Sequence, residues 1–132
     1  MNHLADTNTH ENTAKKYEAI IFDMDGTLFD TSSIMPLIRQ LRQVKRKSAA
    51  YYEIWKKVDK TTDVFKAYDG MGDVLKFIRE NDVKSIIVTG SVKRITNRLK
   101  RFHLPFVGVL TRFDTGHKKP HPEPMFRALE IL

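Results

Sequence analysis

Asp23 and Asp25 stand two residues apart at the end of the apolar run Ala19-Ile20-Ile21-Phe22. In extended backbone, residues i and i+2 share a face, so both carboxylates can face the same side. Gly26 follows and lets the chain turn sharply, keeping either acid from being buried in a sheet. Such a pair suits phosphoryl chemistry: one carboxylate attacks phosphorus, and the other serves first as acid and then as base. The plainer reading of the same residues is an acidic strand end followed by an Asp-Gly turn. Two residues elsewhere favour the chemical reading. Thr89, after Ile86-Ile87-Val88, offers a hydroxyl near a helix N-terminus, a place suited to a phosphate oxygen. Lys119, beyond a third apolar run, can supply the positive charge that a phosphoryl group and an aspartate nucleophile need.

The elements that must position these side chains follow from periodicity. Residues 18–23 read as a short strand buried on both faces, the kind found in parallel sheets. From Ser33, Ile34, Leu37, Ile38, Leu41 and Val44 recur at helical spacing, and Tyr51, Tyr52, Trp55 and Val58 resume the stripe. One long helix or two, joined near Lys47-Ser48, satisfy that pattern equally. The aromatic part of the stripe is expected to be packing surface. A helix carries Val74, Leu75, Phe77 and Ile78; a strand runs from Val83 to Val88; Ser91 is placed to cap the next helix. A third strand is expected over 106–110 and a last helix from Pro122–Glu123. Alternating strands and helices indicate an α/β fold, a Rossmann-like parallel sheet with helices on both faces. In such sheets ligands sit beyond the carboxyl ends of the strands, where Asp23 and Thr89 fall.

Composition narrows the remaining possibilities. The 132 residues include no cysteine, which excludes a disulfide framework, a thiolate metal site and a cysteine nucleophile. No apolar run reaches the ~18 residues of a membrane span, and the first residues lack a secretory h-region, so a cytoplasmic protein is expected. The net charge of +7 is concentrated. Residues 39–60 hold Arg39, Arg42, Lys45, Arg46, Lys47, Lys56, Lys57 and Lys60 against Glu53 and Asp59, and 93–101 add five basic residues with no acid. That balance favours anionic partners, or simply a solvated basic helix face. The five histidines are expected to be structural or exposed rather than metal ligands.

The segment Asp23-Met24-Asp25-Gly26-Thr27-Leu28-Phe29-Asp30 matches DxDGTLxD, the first motif of the haloacid dehalogenase-like hydrolases, without a gap. Thr89 resembles their second motif, and Lys119 in Lys119-Pro120-His121-Pro122-Glu123-Pro124 resembles their third. With Thr111-Arg112-Phe113-Asp114 upstream, the chain looks most like the phosphoglycolate phosphatase and pyrophosphatase-like branch. The resemblance implies a core formed by 17–31 and 67–132, a small helical cap over 32–66, and a flexible tail at 1–16. It implies that Asp23 is the nucleophile and that Asp25 protonates the leaving oxygen and then activates water. Thr89, Gly90 and Lys119 would hold phosphoryl oxygens, and Mg²⁺ would bind the Asp23 carboxylate and the Asp25 backbone carbonyl.

The family's fourth motif, an acidic pair after a fourth strand, has no counterpart before Leu132. The chain is therefore expected to be a truncated member whose first strand lies at a sheet edge. The expected function is a Mg²⁺-dependent phosphomonoester hydrolase acting on a small phosphorylated metabolite. Alternatives are a catalytically weak phosphate- or Mg²⁺-binding remnant, and a binder of nucleic acid or another anionic partner through the basic helix. A phosphomutase would form the same intermediate.

Overall fold

A computed structural model describes residues 17–132. The tail read at 1–16 lies outside the described residues. Three strands form one parallel sheet: β1 (Ala19–Phe22), β2 (Lys84–Val88) and β3 (Val109–Leu110), in that spatial order. Register pairs Ala19 with Lys84 through Phe22 with Ile87, and then Ile87 with Val109. Parallel neighbours need crossovers. Helix α3 (Met71–Glu80) enters β2, and α4 (Lys93–Arg98), continued by a 3₁₀ turn at Leu99–Phe102, leads toward β3. Side chains of β2 alternate between two cores. Ile87 joins Leu75, Ile95 and Leu99 on one face, whereas Ile86 and Val88 join Leu110 and Ala128 on the other. Ala128 belongs to α5 (Glu123–Ile131), so helices cover both faces, as expected.

Two strands differ from expectation. β1 is only half-buried along its length rather than buried on both faces, because among the described residues it has a neighbour on one side alone, the edge position expected for it. β3 is two residues long, although backbone bonds from Val107 N–H to Ser85 O (2.8 Å) and from Ile87 N–H to Gly108 O (3.1 Å) keep 107–108 beside β2. β2, in the middle, is buried from Ser85 to Val88.

Between β1 and α3 lies a helical insert of two helices: α1 (Met35–Leu41) and α2 (Ala49–Thr62). The break has a local cause. Ser48 takes extended backbone and its Oγ accepts the Tyr51 N–H at 3.2 Å, an N-cap that starts a new helix. Lys47 just before it is left-handed at φ 65°. Ile54, Val58 and Thr62, four apart, form the buried stripe of α2, and Thr62 satisfies its hydroxyl on Val58 O at 2.7 Å. The two ends of the insert are stitched together: Asp30 N–H bonds Lys66 O and Tyr68 N–H bonds Leu28 O, both at 3.1 Å.

Much of the second basic run is used internally. Arg94 grips Asp59 with two bonds of 3.0 and 2.8 Å, Arg98 reaches both Asp59 and Asp63, and Arg101 donates to Thr62 O and Phe65 O. These contacts fasten α2 to α4 and its 3₁₀ extension, so this run is less available to anions than its charge suggests. The Arg94 hydrogen bond and the two guanidinium charges hold the Asp59 carboxyl below its ordinary 3.8, against the opposing effect of partial burial. A depressed aspartate contributes stability above its unfolded value, which is lost as pH falls through the folded one. Asp59→Asn is expected to lower stability by about 1 kcal/mol at neutral pH. That gap should close as pH drops below 3.8, which urea denaturation of both proteins across pH will read.

The turn after β1 has its own constraint. Gly26 sits at φ 73° and donates to Phe29 O at 2.9 Å, while Leu28 and Phe29 N–H groups converge on Met24 O. A Cβ on Gly26 would meet no neighbour within 4 Å, so the obstacle to a side chain is backbone conformation alone. Gly26→Ala should cost about 1–2 kcal/mol, measured as a lower urea midpoint at unchanged slope.

Candidate active site

The turn at 23–30 sorts its side chains by polarity. Met24, Leu28 and Phe29 are buried in the core, and Phe29 is inaccessible to solvent with its ring 4.8 Å from that of Phe102. The polar residues between them stay at the carboxyl end of the sheet. Asp23 keeps 46% of its side chain exposed. Its Oδ1 accepts from Lys119 Nζ at 2.7 Å, and its Oδ2 accepts from Thr27 Oγ1 at 3.1 Å. Partial burial pushes the Asp23 carboxyl up. The Lys119 hydrogen bond and charge, the Thr27 hydroxyl and the Met24 N–H pull it down further, leaving it below the usual value. Asp23 is therefore an accessible carboxylate at neutral pH.

Lys119 also donates to Val88 O at 3.0 Å, so one ammonium group touches the ends of both β1 and β2. It reaches them from the loop after β3, which is internally fastened. Thr111 donates its N–H and its hydroxyl to Asp114, each at 2.7 Å, and Arg112 N–H bonds Ser91 O at 3.1 Å. At the far end of the loop, Glu123 takes Gly116 N–H on one oxygen and His117 Nδ1 on the other, while its own N–H donates to His121 Nδ1. The His117 and His121 rings stack at 4.0 Å. Both histidines are exposed, as expected, and the sequence reading missed their role in pinning the loop that carries Lys119.

Thr89 is placed differently from expectation. Its side chain is buried (3% exposed), it accepts Ser91 N–H at 3.1 Å, and its one hydroxyl proton goes to Asp25 Oδ2 at 3.0 Å. In this arrangement it orients Asp25 rather than presenting a free donor to phosphate. Ser91 does not cap α4: Val92 is the N-cap residue and no side chain caps that end. Gly90 is exposed beside the acids. The structure thus brings Asp23, Asp25, Thr89, Gly90 and Lys119 to one sheet edge. Thr27 and Ser91 belong with them; Ser91 was expected only as a helix cap, and Thr27 was given no role beyond lying inside the first motif.

A cavity of about 320 Å³ opens against Asp25, Gly90 and Ser91. Its walls come from α1, α2 and the start of α4, and include Tyr51 and Trp55 as well as Arg42 and Arg112. The aromatic stripe expected to be packing surface therefore also lines a pocket. Trp55 is held by Arg94, whose guanidinium lies 4.7 Å from the ring centroid.

Hard oxygen donors for a cation are present in the Asp23 carboxylate and the Asp25 backbone carbonyl, which leaves the Asp25 carboxyl free for proton transfer. Among the described residues no third carboxylate or histidine joins them; the one group of three close enough to share an ion is His117, His121 and Glu123. Magnesium is commonly held by one or two carboxylates, with water and substrate phosphate filling its octahedron. The pair fits that minimal set.

Comparison with known proteins agrees with the geometry. Residues 36–132 match the family model described as haloacid dehalogenase-like hydrolase, a stretch that contains Thr89 and Lys119 and begins after Asp23 and Asp25. The PpaX protein of Caldanaerobacter subterraneus is 27% identical over 152 aligned positions, covering 89% of this chain and 68% of that one. The pyrophosphatase PpaX of Bacillus mycoides is 23% identical, with 89% and 70% covered. Those 152 positions exceed the length of this chain, so the relative carries additional residues within the aligned stretch. Among solved structures, a hydrolase of this superfamily from Ehrlichia chaffeensis superposes with a TM-score of 0.60 at 23% identity, covering 86% of this chain and 71% of that one. CbbY of Rhodobacter sphaeroides in complex with phosphate gives 0.63 at 17% identity, with 86% and 72% covered. Sheet order, the DxDGTLxD turn and the family match lead to one conclusion: the chain belongs to the haloacid dehalogenase-like hydrolase family.

Proposed function

We propose that the chain is a Mg²⁺-dependent phosphomonoester hydrolase that works through an aspartyl-phosphate on Asp23. The observation that carries this reading is the 2.7 Å contact between Lys119 Nζ and an accessible Asp23 carboxylate, with a second acid, Asp25, oriented by Thr89 next to an open pocket. Asp23 attacks phosphorus, the bond from phosphorus to the ester oxygen breaks, and Asp25 gives its proton to that oxygen. Asp25, now a carboxylate, takes a proton from water as the water's oxygen displaces Asp23 from phosphorus and frees phosphate. Lys119 offsets the negative charge of nucleophile and phosphoryl group. Mg²⁺ on the Asp23 carboxylate and the Asp25 backbone carbonyl would supply further charge neutralisation. The helical insert at 32–66 acts as a small cap over this site, and residues 17–31 with 67–132 as the core. Relatives named pyrophosphatases, and a neighbour of the same fold solved with phosphate, support a phosphorylated substrate.

One observation favours the weaker alternative. With no third carboxylate beside Asp23 and Asp25 among the described residues, metal affinity would be low and turnover correspondingly slow. The basic stretch at 39–60 would serve either version by attracting anions. Among the described residues no helix is long and apolar enough to cross a membrane.

Release of inorganic phosphate from phenyl phosphate, with and without Mg²⁺, tests the reading. Asp23→Asn should lower turnover about a thousandfold or more at unchanged circular dichroism. Because Asp23 is held below the ordinary 3.8, the acid limb of kcat/KM that it controls should lie below that value, with activity falling as the carboxylate gains its proton. Undiminished turnover in Asp23→Asn would exclude the covalent route. Phosphate transfer to an added alcohol, without net release, would identify a mutase.

A further inference from the structure

The pocket beside Asp25 has more apolar wall than a bare phosphate can use. Ile34, Ile38, Leu41 and Trp55 of the insert face Val92 and Ile95 of the core across about 320 Å³, a volume at the small end of ligand sites. Two guanidinium groups, Arg42 and Arg112, interrupt that lining, and neither forms an ion pair with a carboxylate among the described residues. Asp25, which gives its proton to the leaving oxygen, lines the same space, so the leaving group of the ester is the part of the substrate that enters it. Apolar walls favour a ligand that removes apolar surface from water. Unpaired guanidinium groups favour a planar anion.

We propose that this pocket selects phosphomonoesters whose alcohol part is a flat apolar body, such as an aromatic ring, bearing a second anionic group read by Arg42 and Arg112. The assignment rests on the hydrolase reading above and narrows its substrate class. It also separates this chain from the pyrophosphatase activity named for its relatives, since the leaving group of pyrophosphate has no apolar surface to bury. The indole N–H of Trp55 is buried and has no acceptor among the described residues, so an oxygen arriving with the ligand would satisfy a donor that is otherwise left over.

Trp55 is the only tryptophan in the sequence, so its fluorescence reports occupancy of the pocket independently of turnover. The probes are 4-carboxybenzylphosphonate, benzylphosphonate, inorganic phosphate and pyrophosphate, titrated in the presence of Mg²⁺. Saturable fluorescence changes are expected, with the carboxylated compound binding about tenfold more tightly than benzylphosphonate and both ahead of phosphate and pyrophosphate. Arg42→Gln and Arg112→Gln, checked for folding by circular dichroism, should each shrink the tenfold carboxylate advantage. Equal binding of benzylphosphonate and pyrophosphate, or a carboxylate advantage untouched in both variants, overturns the proposal. Asp23-dependent hydrolysis of pyrophosphate without any aryl preference would overturn the pocket assignment and leave the hydrolase reading standing. Aryl-selective binding with no turnover of any ester would support the pocket and overturn the hydrolase reading.

Discussion

The ammonium group of Lys119 is where the separate pieces of this fold meet. It lies 96 residues from Asp23 in the chain, yet bonds its carboxylate at 2.7 Å and the Val88 carbonyl at 3.0 Å. One cation thereby ties the tip of β1, the tip of β2 and the loop after β3. A lysine held to a carboxylate and a carbonyl loses rotamer freedom that it would keep in a solvated loop. That cost is offset only if the loop itself is already ordered. The Asp114 contacts at one end and the Glu123–histidine contacts at the other supply that order. The same pairing keeps Asp23 ionised while nearly half of its side chain remains open to a substrate.

The DxDGTLxD turn serves stability and chemistry through different residues. Its apolar members Met24, Leu28 and Phe29 are core residues, and Phe29 bridges to both Asp25 and Ala67 through the backbone. The neighbouring acids are carried on that buried scaffold, which places their backbone, while Lys119, Thr27 and Thr89 orient their carboxylates. The stitching of 28–30 to 66–68 then brings the two ends of the helical insert to the same point. An insert closed at its base has a short loop-closure distance, and residues of α1 and α2 line the pocket beside Asp25. The Asp59 and Asp63 pairs with Arg94 and Arg98 secure its far side.

Charge in this chain divides by geometry rather than by run. The basic residues at 94–101 largely face carboxylates or helix-end carbonyls, and Lys93 pairs with Asp114 at 3.2 Å. Arg42, from the first run, and Arg112, from the loop after β3, instead line the pocket without ion-pair partners among the described residues. A count of Lys and Arg along the sequence treats these groups alike.

The sequence by itself determined the features that arise from neighbouring residues. Asp23 and Asp25 at a strand end, the Gly26 turn, the amphipathic stripes and the alternation that makes the sheet parallel all depend on interactions within a few positions, and periodicity and backbone sterics read those directly. The break between α1 and α2 was half legible: Ser48 marked the place, but a continuous stripe fitted as well until the extended backbone at Ser48 settled it. Tertiary structure alone decided that Thr89, 64 residues from Asp25, gives its proton to that carboxylate, that Trp55 walls a pocket, and that Arg94 and Arg98 serve as struts. A hydroxyl has one proton and a guanidinium a few donors. Where they go depends on which acceptors packing brings within about 3 Å, and no spacing along the chain carries that information.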